Sequence, residues 1–192
     1  ARALFVPKKS RLAAWARPFI RSRKLMNGAV SLLRLTQQLG LDKLGAGIGA
    51  AKLLPKLKKP VIWQTTYPSL AANKQGEVSL FLGCASQALD SDTLLASIHV
   101  LNALGFDVQV PAHQTCCGSI ARQMGDVAES DALLARNLSS FASGVPILTV
   151  ASGCGAGLAD YLPSHQVQDI SAFLANCDWS KLTLQPLPQR VF

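Results

Sequence analysis

Three short apolar runs each lead into cysteine, and that coincidence constrains the chain more than any other feature. They are "EVSLFLGC" at 77–84, "FDVQVP" at 106–111, which runs on into "HQTCCGS" at 113–119, and "PILTVASGC" at 146–154. Short apolar runs closed by glycine or proline are expected of buried parallel strands, here near 78–83, 107–111 and 146–151. Helical patterns fill the gaps. In "SDTLLASIHVLNALG" Ser91 or Asp92 caps, Leu94, Leu95, Ile98, Leu101 and Leu104 line one face, and Gly105 stops the helix. From Ser119 to Ser143 the period is again helical, with Ile120, Val127, Leu133, Leu134, Leu138 and Phe141 in the pattern and a break near Gly125. "AGLADYLP" and "DISAFLANC" read as further helices, the first closed by Pro163. Strand and helix alternate, which predicts an α/β domain with a parallel-type sheet, flanking helices and right-handed crossovers.

Parallel sheets bind ligands beyond the carboxyl ends of their strands. Cys84, Cys116, Cys117 and Cys154 all fall there, so the fold itself is expected to bring four thiols together. Cys116 and Cys117 are neighbours, and adjacent cysteines bridge each other only with strain. Five cysteines is an odd number, which argues against a secreted disulfide framework and for a reducing cytoplasm. Four soft thiolates point to zinc or an iron–sulfur cluster. Structural zinc sites favour C-x-x-C knuckles, and none is present. Neighbouring thiols can instead reach different atoms of an extended cluster. Gly83, Gly118, Gly153 and Gly155 flank the cysteines, where small residues admit a bulky group and expose backbone N–H groups to its sulfurs.

Other readings of these residues are blander. Each cysteine taken singly suits a small buried residue in a strand–helix turn. Cys177 lies outside the pattern and reads as an ordinary thiol. His113, three residues before Cys116, suggests a thiol nucleophile with a base, but that leaves Cys84 and Cys154 without a role. His99 reads as a surface or packing residue of its helix and His165 as a loop residue. "SGCGAG" lacks the third glycine of a dinucleotide fingerprint, and "GAGIGA" at 45–50 follows a helical pattern rather than a strand. No paired carboxylates and no Ser-His-Asp set emerge.

Charge divides the chain. Residues 1–60 hold 14 of the 19 Lys and Arg and one acid, Asp42, for a net of +13, while the rest nets −5. The basic part reads as an arm of short amphipathic helices broken by Pro7, Pro18, Gly28, Pro55 and Pro60, with Leu32, Leu33, Leu35 and Leu39 at helical spacing. It suits either peripheral contact with an anionic membrane surface or an acidic partner, or a linker with a solvated basic face. Trp15 and Phe19 interleave the charge, but aromatic residues are too few for base stacking, so nucleic acid is not expected as a partner. Residues 61–76 read as a connector in which "VIWQ" can pair as a short strand, and 77–192 as the domain. Neither a membrane-spanning run nor a signal peptide is recognised, and the missing initiator Met suggests a piece of a longer chain.

At the cysteines the sequence resembles a known family. Cys84, 31 residues, "CCG", 36 residues and "SGCGAG" resemble the cysteine-rich CCG domain, found in the heterodisulfide reductase B subunit, the glycolate oxidase iron–sulfur subunit and lactate-utilisation relatives. The wording "FLGCASQAL", "QTCCGSIARQMGD" and "VASGCGAGLADY" is most similar to the glycolate oxidase type. The resemblance covers about residues 77–175 and implies a [4Fe–4S] cluster held by Cys84, Cys116, Cys117 and Cys154, with zinc as a substitute in an isolated piece. It further implies electron transfer between a flavin-containing 2-hydroxyacid dehydrogenase subunit and a membrane acceptor. The expected location is therefore the cytoplasm, with the basic arm suited to contact at the inner face of the cell membrane. The family pattern ends in C-x-x-C, whereas here Gly157 stands at the last position, which suits four ligands rather than the five of a noncubane cluster. A second CCG repeat, usual in the family, is not present. The resemblance equally admits a thiol–disulfide catalyst, or a cluster-less domain that assembles such a complex.

Overall fold

The computed structural model describes residues 23–40, 57, 59–160, 166–180, 182–186 and 188. Most of the expected arm, including "GAGIGA", lies outside them, as does His165.

Helix α1 spans Arg23–Gln38. It runs unbroken through Gly28, where a break was expected. A glycine inside a helix costs only about 1 kcal/mol relative to alanine, and the helix formers around it outweigh that. Gln37 Oε1 accepts from the backbone N–H of Leu57 at 2.9 Å. Val30 and Arg34 share a narrow cleft with Trp63, Gln87 and Ser91, so the helix lies against the start of the domain.

The domain is a five-stranded sheet in the order β1-β3-β2-β4-β5. Its strands are β1 (Thr66–Tyr67), β2 (Gly76–Phe81), β3 (Phe106–Gln109), β4 (Ile147–Thr149) and β5 (Val167–Asp169). All pairs are parallel except β1 with β3. The helices are α2 (Ser86–Leu89), α3 (Ser91–Ala103), α4 (Ser119–Gln123), α5 (Val127–Ser140), α6 (Ser152–Ala159) and α7 (Ile170–Ala175). The expected α/β class holds, and the three expected strands are β2, β3 and β4.

Central strand β2 has neighbours on both edges and helices on both faces, hence its near-continuous apolar run. Its side chains alternate between two cores. Val78, Leu80 and Leu82 pack with Leu94, Ile98 and Leu101 of α3 on one face. Phe81 packs with Leu133 and Leu134 of α5, Leu158 of α6, and the cysteines on the other. Leu95, expected on the inner face of α3, is instead exposed. Leu94, Ile98 and Leu101 recur every three to four residues and take the core side, and a residue 100° away from that line faces water.

Two strands were not anticipated in place. The edge strand forms at Thr66–Tyr67 rather than at "VIWQ". Asn102 decides this, its buried side-chain amide donating to the carbonyls of Tyr67 and Phe106 at 2.9 Å each. Strand β5 precedes α7, with Asp169 capping that helix at the N–H of Ser171, 2.8 Å. Only Val167 of its three residues is buried, so it left no apolar run to recognise.

Candidate metal centre

From β2 the chain passes to neighbouring β3, then crosses back over β2 to β4 on its other edge. The crevice between the carboxyl ends of β2 and β4 is therefore the switch point of the sheet, where ligands settle in such folds. Cys84 lies in the turn after β2 and Cys154 in the first turn of α6 after β4. Cys116 and Cys117 lie in the loop that follows β3. Side chains from positions more than thirty residues apart meet here. The Cys84 and Cys116 sulfurs are 3.5 Å apart. Cys116 also interacts with Cys117, and Cys117 with Cys154. Cys116 and Cys117 are buried, while Cys84 and Cys154 are half-buried at the rim.

Sharing of protons sets the charge of this group. The Cys84 thiol is pulled down to about 7, chiefly by a hydrogen bond from Cys116, against burial and the charge of Cys117. Hydrogen bonds from Cys116 and then Cys154 hold Cys117 far below the ordinary thiol range, helped by the hydroxyl and backbone N–H of Ser119. Cys116 and Cys154 rise correspondingly, each held protonated first by its contact with Cys117. Main-chain N–H groups add to the thiolate stabilisation, those of Ala85 and Cys84 at Cys84 and that of Gly118 at Cys116.

Iodoacetamide labelling of the metal-free chain checks this. The reaction at Cys84 is expected to quicken about fivefold from pH 6 to 7 and level off by pH 8. Cys177, whose thiol burial pushes up, should lag and keep rising beyond pH 9. Peptide mass mapping distinguishes the two.

Buried polar side chains hold the loop that carries the adjacent pair. Gln114 extends the edge of β2 by accepting from the N–H of Leu82 at 2.7 Å and donating to the carbonyl of Leu80 at 3.2 Å. Asn137, fully buried on α5, accepts from the N–H of Thr115 at 2.7 Å and donates to the carbonyl of Cys116 at 3.0 Å. Neither residue stood out in the sequence. Asn137 did carry a signal, because it continues the helical face of Leu133 and Leu134 and so places an amide where the core expects an apolar side chain.

The four flanking glycines take different places. Gly83 borders the thiols, where a Cβ would lie 3.7 Å from the Cys154 sulfur. Gly118 has φ +81° and a Cβ there would lie 3.0 Å from both the carbonyl oxygen and the hydroxyl of Ser130. Gly118→Ala therefore combines left-handed strain with a backbone collision, and an expected loss of about 3 kcal/mol is read by urea unfolding. Gly155 packs against Thr149, on the strand side of α6. Gly153 has open space around it, and its carbonyl accepts from the Ser119 hydroxyl at 3.1 Å.

His113 and His99 are exposed. Cys177 sits at the opposite edge of the sheet, in a cleft of about 450 Å³ that it shares with Gln75, Phe106 and Phe173. It takes no part in the thiol cluster.

Among the described residues no three His, Cys, Asp or Glu surround one common point as a single ion requires. The Cys84 and Cys116 sulfurs touch each other instead. Four soft donors, with Cys117 held as thiolate and Cys84 about half ionised at pH 7, both backed by N–H groups, fit a larger thiolate-held group in the crevice.

Known proteins resemble this chain in sequence. Residues 78–159 match the family of the cysteine-rich domain, CCG. The B subunit of the fumarate reductase (CoM/CoB) of Methanothermobacter marburgensis is 33% identical over 127 residues, 64% of this chain and 26% of that protein. A probable glycolate oxidase iron–sulfur subunit of Bacillus subtilis is 29% identical over 160 residues, 75% of this chain and 35% of that protein. Lactate utilization protein A of Geobacillus kaustophilus is 32% identical over 85 residues, 44% of this chain and 36% of that protein. The chain thus spans between a quarter and about a third of the length of these relatives. No solved structure matches it significantly. With the strand-end thiols at the family's characteristic "CCG", residues 78–159 of this chain are a cysteine-rich CCG domain.

Proposed function

We propose that this domain holds an iron–sulfur cluster and relays electrons as part of an iron–sulfur subunit of the glycolate oxidase and lactate-utilisation type. The observation that carries this reading is the meeting of Cys84, Cys116, Cys117 and Cys154 at the switch point of the sheet. The names of the relatives support it, two of those above being an iron–sulfur subunit of glycolate oxidase and a lactate utilization protein. The four cysteines are the ligands of a [4Fe–4S] cluster, which when bound accepts and passes on single electrons. The chain supplies four thiolates, N–H donors that favour charge on sulfur, and burial, and these set the reduction potential. Electrons come from a flavin-containing 2-hydroxyacid dehydrogenase subunit. No described helix is long and apolar enough to cross a membrane. The +13 charge of residues 1–60 suits contact with an anionic membrane face or an acidic partner.

The test is anaerobic reconstitution of the whole chain with iron and sulfide. A brown protein with equal iron and sulfide, and a paramagnetic signal on reduction, is the expected result. A colourless protein that instead cycles a Cys84–Cys116 disulfide would favour thiol–disulfide catalysis, for which the 3.5 Å contact is the relevant observation.

A further inference from the structure

One turn beyond Cys154 on α6, position 157 shares its face and is the next place from which a side chain would reach the same group. Glycine stands there. A Cβ at Gly157 would collide with the Ser119 hydroxyl and lie 3.3 Å from Ser119 Cβ. That hydroxyl is anchored, with the Gly153 carbonyl at 3.1 Å and the Cys117 sulfur at 3.3 Å. Turning it aside would give up both contacts. The space can therefore hold the Ser119 hydroxyl or a side chain at 157, but not both.

Resting on the iron–sulfur reading, we infer that Ser119 and Gly157 form one exclusion device that holds the site at four thiolate ligands and commits the serine hydroxyl to Cys117. In the metal-free chain a protonated Cys117 thiol donates to this hydroxyl, which gives its one hydrogen to the Gly153 carbonyl. As a ligand Cys117 has no proton to give, and the hydroxyl 3.3 Å away turns its hydrogen to the sulfur, because a charged acceptor makes the stronger bond. Gly153 then keeps only its packing contact. Ser119 is a positioning residue in this account, one that tunes the sulfur and closes the fifth place.

Four versions of the whole chain test this: the natural sequence, Gly157→Cys, Gly157→Cys with Ser119→Gly, and Ser119→Ala. In the metal-free state Gly157→Cys is expected to lower Tm, and the added Ser119→Gly to recover part of the loss. That non-additivity reports the shared space. After anaerobic reconstitution Gly157→Cys should keep the natural iron content and paramagnetic spectrum, and the double variant should alter them. Ser119→Ala should keep the iron content while its midpoint potential moves to more negative values, since a hydrogen bond to sulfur favours the reduced cluster. Additive Tm losses, or a spectrum already altered in Gly157→Cys, would overturn the exclusion device. An unmoved potential in Ser119→Ala would overturn the role at Cys117. Should Gly157→Cys fail to fold, Gly157→Ala with and without Ser119→Gly makes the same comparison. If the natural chain takes up no iron or sulfide, the proposed function fails, while the metal-free Tm comparison still decides whether the two positions compete for one space.

Discussion

Cys117→Ser is expected to abolish the reduced-state paramagnetic signal of the reconstituted chain, whereas Cys177→Ser leaves it unchanged. Cys117 interacts with both Cys116 and Cys154 and carries the most strongly favoured thiolate of the set. A serine hydroxyl stays protonated at neutral pH and is a hard, weak ligand for iron. Loss of this sulfur therefore removes a ligand and the charge at the centre of the group. Serine at Cys84, Cys116 or Cys154 should abolish or change the signal in turn. Cys177 lies across the sheet and bonds the Phe173 carbonyl at 3.4 Å, away from the crevice. Iron and sulfide analysis beside the spectra checks all five. Retention of the natural spectrum in Cys117→Ser would contradict the ligand assignment.

Asn137→Ala is expected to lower stability by about 4 kcal/mol, enough to shift Tm by on the order of 10 °C or more. The amide is fully buried and pairs two main-chain groups, the N–H of Thr115 and the carbonyl of Cys116. Truncation leaves both without a partner in a place water reaches poorly, and each such loss costs about 1–3 kcal/mol. The loop that presents Cys116 and Cys117 should loosen with it, so iron uptake falls alongside Tm. Ser139→Ala, at an exposed position of the same helix, should stay within about 0.5 kcal/mol. Thermal unfolding followed by circular dichroism reads both variants.

Much of the fold was legible because its signals are local. An apolar run closed by Gly83, Pro111 or Gly153 marks a strand end whatever surrounds it. Leu94, Ile98 and Leu101 mark a helix face in the same way. Strands without such runs escaped. Strand β5 buries a single residue, and β1 exists where Asn102, thirty-five positions away, ties down Tyr67. The break placed at Gly28 failed for the opposite reason, since a weak local preference gave way to its helical neighbours.

Order along the chain was enough to set Cys84, Cys116, Cys117 and Cys154 just past three strands. The rule that parallel strands present their carboxyl ends to one edge then brings the thiols to one side of the domain. Which thiol contacts which emerged from the packed fold, as did the commitment of Ser119 to Cys117 and Gly153 and the gripping of the CCG loop by Asn137 and Gln114. Those contacts depend on how far each helix is rotated about its axis when Phe81, Leu133, Leu134 and Leu158 pack together. A helical rotation of one residue, about 100°, would carry Asn137 from the loop to solvent or Gly157 away from Ser119. Periodicity shows which face is apolar, but the fit between two packed faces sets the last few ångströms, and a metal site is made at that scale.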